Sequence, residues 1–222
     1  AVFHLAAKAR VQPSIANPVL FDHTNVHGTV NLLKACVDAG VKKVVFSSSS
    51  SVYGDAVEEP MKEDHPYNNT NFYGATKIAG EHMCRSLYHR YKETNQAFDY
   101  VGLRYMNVYG SRQDYQGAYI AVIMKILDRL DKGLPPIIYG DGSQAYDFIN
   151  VVDCARANVC AMKADVTDKF YNVGRGIRTT IKELAELLLE ITGSTQEIQY
   201  EPAGMTFVKN RIGCPVKARD EI

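Results

Sequence analysis

Tyr73 and Lys77 stand four residues apart in Tyr73-Gly-Ala-Thr-Lys77, a spacing that puts both side chains on one face of a helix. A free tyrosine has a pKa of about 10 and is a poor base at neutral pH. A cation beside it stabilises the phenolate and lowers that value, so the pair can act as a general acid and base. Alone, the spacing is commonplace on a solvated helix face. Upstream, however, Phe46-Ser-Ser-Ser-Ser-Ser-Val-Tyr-Gly54 reads as a strand ending in hydroxyl-bearing residues. The carboxyl end of a parallel strand is where α/β sheets bind ligands. Serine runs also make flexible linkers, but one wedged between a β-rich stretch and Val52-Tyr53-Gly54 is a poor linker.

The elements that must position these residues alternate in the α/β manner. A strand is expected over residues 2–6, and Val26, Val30, Leu33 and Val37 then fall at helical spacing, with Gly40 as a stop. Residues 41–46 read as a second buried strand, and a long helix is expected from about Tyr73 to Tyr91. Residues 98–104 read as a third strand, residues 118–131 as a helix, and residues 170–173 as a fourth strand. Asp153 is expected to cap a helix carrying Val159 and Met162 on one face. Thr180 with Glu183 forms a capping box that opens a helix over residues 181–191, ended by Gly193. The Pro- and Gly-rich stretches 133–143 and 174–178 read as loops.

Bulk properties exclude several classes. Lys+Arg and Asp+Glu both number 25, so no global field attracts nucleic acid or an anionic membrane. The longest apolar runs fall short of a membrane span, and no signal peptide opens the chain. Five cysteines (36, 84, 154, 160 and 214), scattered and never in a CxxC arrangement, argue against a disulfide framework or a zinc site and suit a reducing cytosol. His23 and His27 have metal-compatible spacing but no further ligand nearby, so no metal is expected. The stretch from His82 to His89, with Tyr88 and Tyr91, reads as helix surface or a subunit contact.

His4-Leu-Ala-Ala7, Asn25-Val-His-Gly-Thr29, Ser47-Ser-Ser49, Val52-Tyr-Gly54, Tyr73-x-x-x-Lys77 and Leu103-Arg-Tyr-Met-Asn-Val-Tyr-Gly110 occur in that order. Gly140-Asp-Gly142 and Asp147-Phe-Ile-Asn-Val-Val-Asp153 follow. As an ordered set, covering essentially all 222 residues, they resemble the NAD-dependent epimerase/dehydratase family of extended short-chain dehydrogenases/reductases, especially its UDP-sugar 4-epimerases.

The resemblance implies an α/β fold: a Rossmann-like doubly wound parallel sheet lacking its first βαβ units, plus a small C-terminal substrate-binding subdomain. Residues 1–115 and 151–175 would form what remains of the NAD-binding part. Residues 116–150 and 176–222 would form the nucleotide-sugar part, incomplete at its end. Tyr73 is implied as catalytic base, Lys77 as its partner holding the nicotinamide ribose, and Ser49 as the hydroxyl bonded to the substrate. Leu5, Ala6, Ala7, Asn25, Tyr105 and Met106 would lie against NAD. Asn107 and Arg211 would meet the diphosphate of a UDP-sugar, and Tyr139 the uracil, although a core role for Tyr139 and a surface role for Arg211 stay open.

The implied reaction is 4-epimerisation by oxidation at C4 and return of the hydride to the other face, with NAD regenerated each cycle. Ser50 and Ser51 stand where related 4,6-dehydratases carry Asp-Glu, and serine cannot supply that proton chemistry at neutral pH. A reductase or decarboxylase on the same scaffold, or a non-catalytic dinucleotide-binding sensor, remain the alternatives. The Gly-rich turn of the family is absent, and both ends of the chain read as cut. Tyr146 replaces a common arginine, and Cys214 a common aspartate. Helices 18–39 and 73–92 correspond to those through which the family forms homodimers, and a cytoplasmic location is expected.

Overall fold

The structure, a computed structural model, describes residues 1–114, 121–203 and 208–222. The chain opens with β1 (Val2–His4), α1 (Val11–Ala16) and α2 (Pro18–Phe21). A wide i→i+5 helical turn over Asp22–His27 leads into α3 (Gly28–Asp38). Then come β2 (Lys43–Ser47), a tight turn at Ser50–Val52, α4 (Phe72–Tyr91), β3 (Asp99–Tyr105) and β4 (Asn107–Tyr109). The second half contains α5 (Val122–Asp131), β5 (Ile137–Tyr139), β6 (Ala145–Tyr146), β7 (Phe148–Asn150), α6 (Val151–Lys163) and β8 (Lys169–Val173). It continues with β9 (Thr179–Thr180), α7 (Ile181–Thr192), β10 (Gln199–Glu201), β11 (Asn210–Arg211) and α8 (Val216–Glu221).

The main sheet is parallel, in the order β1-β2-β3-β8. Because side chains alternate along a strand, each central strand supplies both of its faces. Val44, Phe46 and Tyr100 join Leu33, Val37 and Cys84 of α3 and α4 on one side. Val45, Val101 and Leu103 join Cys154 and Ala161 of α6 on the other. A sheet buried on both faces by crossover helices is the doubly wound architecture predicted from the alternation of elements. A separate cluster, built by Ile126 of α5, Ile138 of β5 and Ile181, Leu184 and Leu188 of α7, forms a second small core. There β5 pairs with β10, and β6 pairs with β11 and β9.

Several local expectations need correction. β1 stops at His4 rather than residue 6. Val30 is 42% exposed, and the buried face of α3 is Thr29, Leu33, Cys36 and Val37. The cap of α6 is Asn150, whose side chain accepts from the Val152 amide, while Val159 is 43% exposed and Cys154, Asn158 and Ala161 point inward. In α3 the expected Leu33 and Val37 are buried and only Val30 is displaced by Thr29, whereas in α6 the expected stripe lies one step around from the buried Cys154, Asn158 and Ala161. The stretch 133–143 is not all loop, since Ile137–Tyr139 forms β5. Tyr88 and Tyr91 are half-buried and pack partly on the core beneath α4, while His82 and His89 are exposed on the helix surface as expected. Residues 118–120 of the expected helix lie outside the described residues. No helix among the described residues is long and apolar enough to cross a membrane.

Candidate active site

The face of α4 that bears Tyr73 and Lys77 is set by short-range contacts. Asn71 caps the helix by accepting from the Gly74 amide at 2.8 Å, and the Tyr73 amide donates to the buried Ser14 hydroxyl at 3.0 Å. Two glycines let the helix approach β2. A Cβ at Gly74 would sit 2.4 Å from the Ser51 carbonyl oxygen, and one at Gly80 would sit 2.4 Å from the Phe46 ring. Either addition would push the helix off the serine segment.

Tyr73 and Ser49 line the same inner cavity, and the Ser49 side chain lies near enough to act on the phenol pKa. Ser49 also accepts from the Ser51 amide at 3.1 Å, which fixes its side chain. Burial raises the Tyr73 pKa, while the Ser49 side chain and the charge of Arg211 act against that rise. Lys77 does not reach the hydroxyl. Its ammonium lies 5.9 Å from the centre of the Tyr73 ring and donates to the Ser47 carbonyl at 2.7 Å. The i,i+4 spacing aligns the two side chains, but the phenol oxygen lies at the far tip of its ring. The expected electrostatic partner therefore lies over the ring, and Arg211, which lines the same cavity as Tyr73, is the cation whose charge lowers the phenol pKa. Burial lowers the Lys77 pKa to about 8, with Glu81 acting in the opposite direction.

Beside this face lie two cavities. The inner one, about 400 Å³, is lined by Ser49, Ser50, Ser51, Tyr73, Met106, Asn107 and Arg211, among others, and by no carboxylate among the described residues. The outer one, about 840 Å³, shares Asn107 and Arg211 and extends past Tyr139, Tyr146 and α5. Both volumes fall in the range of small-molecule sites. Two polar atoms of the inner lining are buried without a partner, Asn107 Nδ2 and Gln113 Oε1. Arg211 is 7% exposed, and its guanidinium makes only long contacts, 3.3 Å to the Gly54 carbonyl and 3.5 Å to the Ser51 hydroxyl. None of the ion pairs among the described residues includes it. The nearby Asp55 accepts instead from the Lys209 and Asn210 amides. A buried guanidinium and a buried amide donor facing one cavity make an anion site.

The remaining expected residues lie elsewhere. Leu5, Ala6 and Ala7 follow β1 at the carboxyl edge of the sheet, with Leu5 and Ala6 exposed. Asn25 is buried, and its side chain is fully engaged: it accepts from the Lys8 amide and donates to the Lys8 carbonyl and the Thr76 hydroxyl. It shapes the 5–10 loop rather than presenting a free amide. The Tyr105 hydroxyl takes a 2.7 Å bond from Asn158 of α6 and lies 3.3 Å from Ser47. Gln113 carries no signal in the sequence, and only its tertiary position reveals it. No group of residues able to hold a metal ion occurs among the described residues, and His23 and His27 simply stack.

Residues 1–174 match the model of the NAD dependent epimerase/dehydratase family. The chain is 37% identical over 205 residues to a UDP-glucose 4-epimerase of Mycolicibacterium smegmatis, covering 90% of this chain and 63% of that protein. It superposes with a TM-score of 0.94 and 36% identity on a UDP-N-acetylglucosamine 4-epimerase from Methanobrevibacter ruminantium in complex with UDP-N-acetylmuramic acid, covering 99% of this chain and 69% of that one. A Thermus thermophilus UDP-glucose 4-epimerase complex with NAD gives 0.87 at 34% identity, covering 99% and 70%. The chain belongs to the NAD dependent epimerase/dehydratase family. It spans under two thirds of the length of the Mycolicibacterium smegmatis relative.

The residues present fit the nicotinamide end of NAD. Among the described residues Lys77 has one hydrogen-bond acceptor, the Ser47 carbonyl, for its three N–H donors, and it lies beside Tyr73 at the carboxyl end of β2. That arrangement suits vicinal ribose hydroxyls. A glycine-rich turn for the pyrophosphate is not among the 222 residues.

Proposed function

We propose that the protein of which these residues are part is an NAD-dependent nucleotide-sugar 4-epimerase acting on a UDP-hexose. The observation that carries the reading is the inner cavity. Ser49, Tyr73, Asn107 and Arg211 all line it, and the adjoining cleft of about 840 Å³ shares Asn107 and Arg211, which supports the reading.

In this reading Arg211 and Asn107 hold the diphosphate and Tyr139 flanks the base. Ser49 hydrogen-bonds the C4 oxygen of the sugar. The Tyr73 phenolate takes the C4 hydroxyl proton as the carbinol is oxidised and returns it when the ketone is reduced on its other face. Lys77 holds the ribose of the cofactor, with Leu5, Ala6, Ala7, Asn25, Tyr105 and Met106 shaping its bed. When bound, the nicotinamide supplies the hydride acceptor and donor. Met106 and Gln113 shape the sugar end of the cavity.

The division into a cofactor part (1–115 and 151–175) and a substrate part (116–150 and 176–222) belongs to the same proposal. So do a cytosolic location and a homodimer through 18–39 and 73–92, for which the exposed Val19, Leu20, Val30 and Phe72 speak. Elimination of water needs an acid and a base near the sugar, whereas the inner cavity has serines at 50 and 51 and no carboxylate among its described residues. That favours epimerisation over dehydration. Incubating the intact protein with UDP-glucose and with UDP-N-acetylglucosamine tests the reading. Equilibration with the 4-epimer, at constant NADH absorbance over the whole course, is the expected result. Net NADH formation, CO2 release or an unchanged sugar would overturn it.

A further inference from the structure

The proposed mechanism leaves one buried charged pair unused. Glu81 and Arg104 are 1% and 2% exposed, deeper than any other ion pair among the described residues. They bond in the two-pronged manner, Nε to Oε1 at 2.8 Å and Nη2 to Oε2 at 2.7 Å. Each also takes further partners. Glu81 accepts from the Ser48 hydroxyl at 2.5 Å and the Tyr67 hydroxyl at 2.8 Å. Arg104 donates to the Tyr53 hydroxyl, the Glu63 carbonyl and the Tyr67 hydroxyl at 2.8–2.9 Å. Burying such a pair costs desolvation that its mutual attraction offsets only with this quality of geometry, and apolar residues often serve stability as well. A role in fixing one arrangement of the surrounding groups explains it better.

The arrangement concerned is the contact between β2 and α4. Three consecutive serines meet three helix residues spaced one turn apart. Ser49 lines the inner cavity beside Tyr73, the Ser47 carbonyl takes the Lys77 ammonium, and the Ser48 hydroxyl donates to Glu81. In the proposed mechanism Lys77 and Ser49 have chemistry to perform. The Ser48–Glu81 contact lies in neither cavity and has no such duty. Arg104, from the neighbouring strand β3, fixes the orientation of the Glu81 carboxylate.

We propose that Glu81 and Arg104 are a positioning pair that acts through Ser48 to lock the serine segment in register with α4, so that Ser49 meets the Tyr73 phenol. The proposal rests on the epimerase reading for its effect on turnover, but not for its effect on geometry. Slippage of the segment would separate a general base from the hydroxyl it shares, and a misplacement near 1 Å can cost about 100-fold in rate.

The test uses the intact protein with Ser48→Ala, Glu81→Gln and, as comparator, Tyr53→Phe. Tyr53 bonds Arg104 and Asn172 on the far side of the pair and touches neither Ser48 nor the cavities. Expected for Ser48→Ala and Glu81→Gln is a kcat lower by about tenfold to 100-fold with KM for the UDP-hexose within about twofold. Tyr53→Phe should lose thermal stability and keep its kcat. In parallel, protein carrying 13Cζ-tyrosine, with the Tyr73 signal assigned by its loss in Tyr73→Phe, reports the phenol directly. Ser48→Ala should move the Tyr73 signal and its titration. An unmoved Tyr73 signal, or a kcat that falls in all three variants in step with Tm, overturns the proposal. If the parent turns over no nucleotide sugar, the functional reading fails and the tyrosine signal alone decides this one.

Discussion

The β2–α4 corner and the cleft beside it are built on opposite rules. In the corner almost every buried polar group has an internal partner: Ser48, Glu81, Arg104, Tyr53 and Asn172 form one continuous network. In the cleft Asn107 Nδ2 and Gln113 Oε1 are buried without a partner, and the Arg211 guanidinium makes only long contacts to Gly54 and Ser51. A buried donor without a partner is costly to fold, so a fold retains one where a ligand will engage it. The contrast separates groups that hold the machinery from groups that wait for substrate.

The largest effect expected from breaking this contrast falls on its boundary. Tyr73→Phe removes the proposed proton acceptor and should lower kcat by about 100-fold to 10⁴-fold, with Tm little changed, as steady-state kinetics and thermal unfolding will show. A variant that epimerises as fast as its parent would remove Tyr73 as the base.

Next comes Arg211→Met, on the cleft side. It should raise KM about tenfold or more, because the proposed charge-assisted bond to the diphosphate would be lost. Its charge also opposes the burial that raises the Tyr73 pKa. Without it that pKa rises further, so the acid limb of the kcat/KM–pH profile should move to higher pH. A limb that stays in place would show that the guanidinium does not act on the phenol.

The smallest effects sharpen the comparison between two asparagines. Asn172 is fully buried, accepts from the Tyr53 hydroxyl at 2.7 Å and donates to the Met61 carbonyl at 2.9 Å. Asn172→Ala should cost about 1–3 kcal/mol of stability, read as a lower denaturant midpoint. Asn107 has a buried amide nitrogen with no partner. Asn107→Ala should leave that midpoint nearly unchanged and raise KM by about three- to tenfold. Equal losses of stability in both would erase the distinction between the two regions.

Wherever the cause is local, the sequence was readable. The capping box of Thr180 and Glu183, the stop at Gly193 and the long helix bearing Tyr73 and Lys77 all stand as expected. Each depends on residues within a turn or two of one another. The meeting of Ser49 with Tyr73 was legible only through the ordered motif set, since nothing local joins them. β5 escapes a sequence reading because its partner, β10, lies about sixty residues further on, so a Pro- and Gly-rich stretch looks like loop.

By itself the sequence determined the alternation of strands and helices and the family, and it nominated the candidate proton-transfer residues, because periodicity and motif order are properties of the chain. Only the tertiary structure decided which cation faces the phenol, which buried polar groups are left without partners, and that a carboxylate–guanidinium pair grips the serine segment. Those depend on where side-chain tips end in space, and a spacing of four fixes the direction of a side chain without fixing its reach.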